Sequence, residues 1–147
     1  NQNTCRNNAR LLNLPFIDLT SGIEERILGQ NGKVVIDAGA DLGRIEKLEQ
    51  DLLKLVPEVK ICRIVALPGA YSAKAIRQAI DLYSQTGAFF ALTRLDECEI
   101  AAQEFSVLAE SHAKLGLLTA SRSLVDAVVI AGKEPVAQYL SGMCSVD

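Results

Sequence analysis

Ala88-Phe89-Phe90-Ala91-Leu92-Thr93-Arg94-Leu95-Asp96 is the stretch on which the reading of this chain turns. Its first five residues are all apolar, without the polar alternation of a half-solvated strand, which suits a strand covered on both faces in a parallel sheet. The run then stops at a polar tetrapeptide ending in a carboxylate. In an open α/β sheet, ligands bind outside the carboxyl ends of the strands, so residues 93–96 fall where chemistry is expected.

The rest of the chain repeats this rhythm. Short apolar segments at 14–18, 33–37, 61–67 and 116–119 have the same strand character as 88–93. Between them lie amphipathic stretches. Residues 45–55 set Ile45, Leu48, Leu52 and Leu55 on one stripe, and 72–86 do the same with Ala75, Ile76, Ala79, Ile80 and Tyr83. Further helices are predicted at 4–12, at 20–29 after the cap candidates Thr20 and Ser21, at 99–112 (Ile100, Phe105, Leu108) and at 133–140. Helix and strand in alternation predict an α/β fold: a parallel sheet with helices on both faces, with the strands at 33–37, 61–67, 88–93 and 116–119 sharing one carboxyl edge.

Composition bounds the class. With 147 residues, 49% apolar and 22% charged, the chain is long enough for one buried core. A net charge of −3 without blocks of like charge offers no electrostatic footprint for nucleic acid. The apolar runs are strand-sized, and the polar start Asn1-Gln2-Asn3-Thr4 is no signal peptide. Cys5, Cys62, Cys98 and Cys144 are scattered without a CxxC, which argues against a metal or disulfide framework and for a reducing, cytoplasmic setting.

Three strand ends carry suggestive groups: Asp37-Ala38-Gly39-Ala40, Thr93-Arg94-Leu95-Asp96 and Thr119-Ala120-Ser121-Arg122. A carboxylate at the position of Asp96 can accept two parallel hydrogen bonds from the N1–H and exocyclic amine of guanine, a donor pair adenine lacks, and a long basic residue at the position of Arg94 can lay its stem and cation over the ring. In order and approximate spacing the three loops resemble the DTAG, TKLD and TTGQ loops of the signal-recognition-particle GTPases. Cys5-Arg6-Asn7-Asn8-Ala9-Arg10-Leu11-Leu12-Asn13-Leu14-Pro15-Phe16 resembles that family's "LKTYARILGVPF" segment, and Leu67-Pro68-Gly69-Ala70 resembles its fifth-strand loop. The likeness runs from residue 5 to about 140, and within the family the "ARLLNLPF" segment is most similar to the flagellar-placement GTPases of the FlhF type.

The resemblance implies a P-loop NTPase fold of the signal-recognition-particle G-domain type. Residues 1–147 would be its C-terminal part, with the N-terminal strands missing. It implies GTP or GDP with Mg²⁺ as ligands, with Thr93, Arg94, Asp96, Ser121, Arg122 and Gly39 binding nucleotide and Asp37 holding the metal through water. Implied partners are a second copy or a paired GTPase-like domain, and flagellar or protein-targeting components. Location would be cytoplasmic or peripheral at the inner membrane or cell pole, with membrane association only through other regions.

Departures are as informative. No GxxxxGK[ST] occurs in the chain, so the amide nest and lysine that cradle phosphates are absent, as is the family's DTFR element. Together with a start that lacks Met and enters almost directly into a helix, this leads to the expectation of a piece of a longer protein. The DxxG spacing would put glycine at 40, where this chain has Ala40 and carries Gly39 one place early. Arg94 replaces the family's Lys, and Ser121-Arg122 replaces Gly-Gln.

Each residue has a bland alternative. Asp96 is equally a cap for the helix at 99–112, and Asp37 a strand-end turn former. His112 suits a helix C-terminus, and the carboxylates flanking Cys98 argue against a nucleophilic thiolate. Two function classes therefore stand side by side: a GTP-binding protein, and a non-catalytic GTPase-like scaffold or interaction module. An unrelated flavodoxin-like receiver is a weaker third, because the acidic cluster it needs near the first strand is not seen.

Overall fold

The computed structural model describes residues 2–18, 32–97, 102–120 and 128–144. Cα packing divides the chain into two compact units, Asn1–Ile61 and Cys62–Asp147.

The first unit is helical where it is regular. Helix α1 (Gln2–Leu11) ends in a left-handed residue, Asn13 with φ 52°, and the Leu14 amide donates back to the Ala9 carbonyl at 2.8 Å. Asparagine tolerates that conformation better than a branched residue, so the helix has a favourable stop at Asn13, just ahead of Pro15. Helix α2 (Leu42–Leu55) begins at the cap Asp41, whose side chain accepts the Arg44 amide at 3.2 Å. On its apolar stripe Leu52 is buried, Ile45 and Leu48 are half-buried, and Leu55 is exposed.

Neither predicted strand of this unit forms. Residues 14–18 and 33–37 make no strand, and Val35 is 97% exposed. Apolar, β-branched sequence favours a strand only when a neighbour completes the ladder and covers a face, and no described strand pairs with these residues. The prediction that 33–37 is a strand of the parallel sheet, with 37–40 as its carboxyl end, is therefore corrected.

The second unit carries the sheet. Strands β1 (Ile64–Pro68), β2 (Phe89–Thr93), β3 (Leu115–Thr119) and β4 (Val128–Ile130) are ordered β1-β2-β3-β4. The first three are parallel, pairing Leu67 with Leu92 and Leu92 with Leu118, and β4 runs antiparallel to β3. Three of the four predicted parallel strands thus form in parallel register, while β4 was not predicted. The register shifts by one residue between Phe90 and Ala91, opposite Gly116, where a Cβ would come within 3.3 Å of the Phe89 Cβ.

Helices α3 (Ala73–Tyr83), α4 (Ala102–Glu110) and α5 (Lys133–Cys144) supply the other layer. Ser72 caps α3 by accepting the Ala75 amide at 3.3 Å. A 3₁₀ turn, Ser84–Thr86, and the left-handed Gly87 (φ 71°) then reverse the chain into β2. The core joins Leu67, Phe90, Leu92 and Leu118 from one sheet face to Ile76 and Ile80 of α3 and Phe105 and Leu108 of α4. Tyr139 of α5 meets Phe105 with ring centroids 5.8 Å apart.

These helices all contribute to the core on that face. On the alternate positions, Ile64, Phe89 and Ile130 are exposed. The second helical layer expected from the sequence is not among this unit's described residues. The chain is α/β with a mostly parallel four-stranded sheet, and no described helix is long and apolar enough to cross a membrane. The predicted helix at 20–29 lies outside the described residues.

Candidate functional site at the carboxyl edge of the sheet

Parallel pairing of β1, β2 and β3 brings the residues following each strand to one edge. There the TRLD loop is laced to both neighbours. The Thr93 carbonyl accepts the Gly69 amide beyond β1 at 2.8 Å, and the Leu95 amide donates to the Thr119 carbonyl of β3 at 3.0 Å. Leu95 is buried against the core, which anchors the loop from below. Alternation then turns the side chains on either side of it outward, and both Arg94 and Asp96 are exposed.

Arg94 is left-handed, with φ 62°. That conformation costs an L-residue other than Gly or Asn roughly 1–2 kcal/mol, offset here by the hydrogen bonds that flank it. The Glu97 amide closes the turn onto the Arg94 carbonyl at 3.1 Å. Across the turn, Arg94 Nε donates to Glu97 Oε2 at 2.8 Å and its terminal Nη2 donates to the same oxygen. Asp96 makes no hydrogen bond or ion pair among the described residues, so its carboxylate stands in solvent on a fixed loop. The alternative of Asp96 as a helix cap turns on residues 98–101, outside the described ones.

In the first unit, both oxygens of Asp37 are engaged. Oδ1 accepts the Gly39 amide at 3.2 Å and Oδ2 accepts from the Cys5 thiol at 3.3 Å. The first contact is an Asx turn, with Gly39 in the left-handed region at φ 70°. It supplies the turn-forming role weighed for Asp37. The Cys5 thiol is held above its ordinary pKa, chiefly by the hydrogen bond to Asp37 and secondarily by burial and the nearby carboxylate charge.

The structure brings Thr93, Arg94 and Asp96 together on one loop. Asp37 and Gly39 share another turn in the other unit, and Ser121 and Arg122 lie outside the described residues. His112 sits just past α4 with φ 53°, and the Ala113 amide donates to the Leu108 carbonyl at 3.1 Å. It serves as the helix stop, a structural role.

The fit to a nucleotide is uneven. The loop after β2 presents an exposed carboxylate, Asp96, and a planar cation, Arg94, on a pinned turn. The phosphate end is not matched by the described residues. Among the described residues, the glycine turn at this edge has its Gly69 amide committed to the Thr93 carbonyl. No three described His, Cys, Asp or Glu side chains converge as a metal site.

Sequence reasoning missed two carboxylates. Glu97 was passed over as a neighbour of Cys98, although a basic residue three positions earlier in a tight turn signals an ion pair. Glu104, in the first turn of α4, has Oε2 enclosed without a hydrogen-bond partner among the described residues. A negative charge there suits the helix dipole. Among known proteins, no family model matches the chain and no curated sequence matches it significantly.

Proposed function

We propose that the carboxyl edge of this sheet binds the base of a guanine nucleotide, as part of a GTP-binding protein of the signal-recognition-particle type. On this reading Asp96 accepts from guanine N1–H and the exocyclic amine, Arg94 stacks on the ring, and Thr93 sets the loop at the end of β2. Ser121, Arg122 and Gly39 are assigned to the nucleotide by resemblance alone, as is Asp37 to water-bound Mg²⁺. A paired GTPase-like domain as partner, and a role in flagellar placement or protein targeting, belong to the same proposal.

The observation that carries it is the exposed Asp96 carboxylate on a loop tied to the ends of β1 and β3. Preorganisation of this kind lowers the ordering cost of binding. The engagement of both Asp37 oxygens and of the Gly69 amide favours a second reading, a GTPase-like module that does not hydrolyse nucleotide.

Calorimetric titration tests both. The chain should bind GTP with Mg²⁺ in the upper micromolar range or more weakly, roughly −5 kcal/mol, because the 147 residues hold no phosphate loop. Asp96→Asn should lower GTP affinity about tenfold or more and favour xanthosine triphosphate, whose carbonyl accepts from the new amide. Unchanged selectivity in that variant rejects base reading by Asp96. Submicromolar GTP binding, or turnover, rejects the view that no phosphate site is present.

A further inference from the structure

We propose that Glu97 is a positioning residue that holds the Arg94 guanidinium by its edge, so that the flat face of the cation is presented to a purine base. The inference rests on the base-reading role of Asp96 and adds the residue that prepares its neighbour.

Three observations carry it. First, the contact is side-on: Nε–H at 2.8 Å and the terminal Nη2 meet one carboxylate oxygen. Such a contact uses donors that lie in the guanidinium plane and leaves the faces of the plane for stacking. Second, the Glu97 side chain is the more sheltered partner, 30% exposed against 58% for Arg94, so the carboxylate is the fixed member and the cation the presented one. Third, the backbone under the pair is constrained, with Arg94 left-handed and its carbonyl bonded to the Glu97 amide at 3.1 Å.

An exposed ion pair adds little to stability, so the worth of this pair lies in orientation. Stacking is indifferent to the exocyclic groups of a purine. Glu97 should therefore affect affinity without affecting base choice, and only through Arg94.

The test is a ¹⁵N NMR titration of the full 147-residue chain with millimolar guanosine monophosphate and inosine monophosphate, the latter lacking the exocyclic amine. Wild type, Glu97→Gln, Arg94→Ala, the double variant and Asp96→Asn are compared. Glu97→Gln should weaken both nucleotides about threefold, the scale of an exposed cation–π contact, and leave their ratio unchanged. In the Arg94→Ala background it should have no effect. The Arg94 Nε–H resonance should show a ring-current shift in wild type and lose it in Glu97→Gln.

Affinity unchanged or raised by Glu97→Gln, or an equal loss in the Arg94→Ala background, overturns the positioning role while leaving base reading by Asp96 intact. If wild type shows no preference for guanosine over inosine monophosphate, or Asp96→Asn leaves the ratio unaltered, base reading fails and the positioning role with it.

Discussion

Residues 33–37 and 89–93 are both short apolar segments followed by a turn with an acidic residue, yet they end in opposite states. Leu92 is fully buried in the middle of the sheet, whereas Val35 is 97% exposed on a segment that pairs with nothing described. The difference lies in their neighbours. Strand β2 has β1 and β3 on either side and α3 and α4 against one face, so its amides and side chains are both satisfied. The apolar run tells how readily a segment takes up a strand. It does not tell whether a partner is there.

This contrast breaks first on core deletion. Leu92→Ala should destabilise the second unit by about 3–4 kcal/mol, since it removes a fully buried side chain among close neighbours. Val35→Ala should shift stability by no more than about 0.5 kcal/mol. Urea unfolding followed by circular dichroism measures both. A Val35→Ala loss comparable to that of Leu92→Ala would mean that residues 33–37 are packed, and the contrast would be void.

A smaller effect sharpens the chemistry of the first unit. The hydrogen bond from the Cys5 thiol to Asp37 raises the thiol pKa, so less thiolate is present at mildly alkaline pH. Asp37→Asn should speed alkylation of Cys5 near pH 8 by a few-fold, read at that residue by peptide mass spectrometry. The linkage has a definite sign. The folded thiol pKa is raised, so the contact's support is present below the unfolded thiol pKa and is lost as pH rises through the folded value. If alkylation of Cys5 is no faster in the variant, Asp37 is not the thiol's partner in solution, and the turn-forming role rests on Gly39 alone.

Much of the second unit was legible from sequence. The segments at 61–67, 88–93 and 116–119 appear as parallel strands within a few residues of their expected limits, because each short apolar run finds another beside it to complete the ladder and a helix to cover one face. The stripe of Ile76 and Ile80 and that of Phe105 and Leu108 were also read correctly as core. β4 escaped because Val128-Val129-Ile130 is only a triplet, too short to show a period. The one-residue register shift at Gly116 had no signal of its own. The same holds for the absence of pairing at 33–37, which depends on residues far away in sequence.

At the site, sequence reasoning placed the TRLD loop at a strand end but not the two backbone bonds that pin it. Those bonds depend on the Gly69 amide and the Thr119 carbonyl, which only sheet topology brings together. Nor did it show the left-handed Arg94, a conformation forced by its surroundings and not favoured by arginine.

Base reading at the sheet edge is the central claim, and amide chemical-shift mapping with guanosine monophosphate tests it most directly. Guanosine monophosphate should perturb the amides of residues 93–97 together with Gly69 and Thr119, whose bonds tie that loop, and adenosine monophosphate at equal concentration, left with stacking on Arg94 alone, should perturb them several-fold less. Equal perturbation by both nucleotides, or a guanosine response that maps away from residues 93–97, would contradict it.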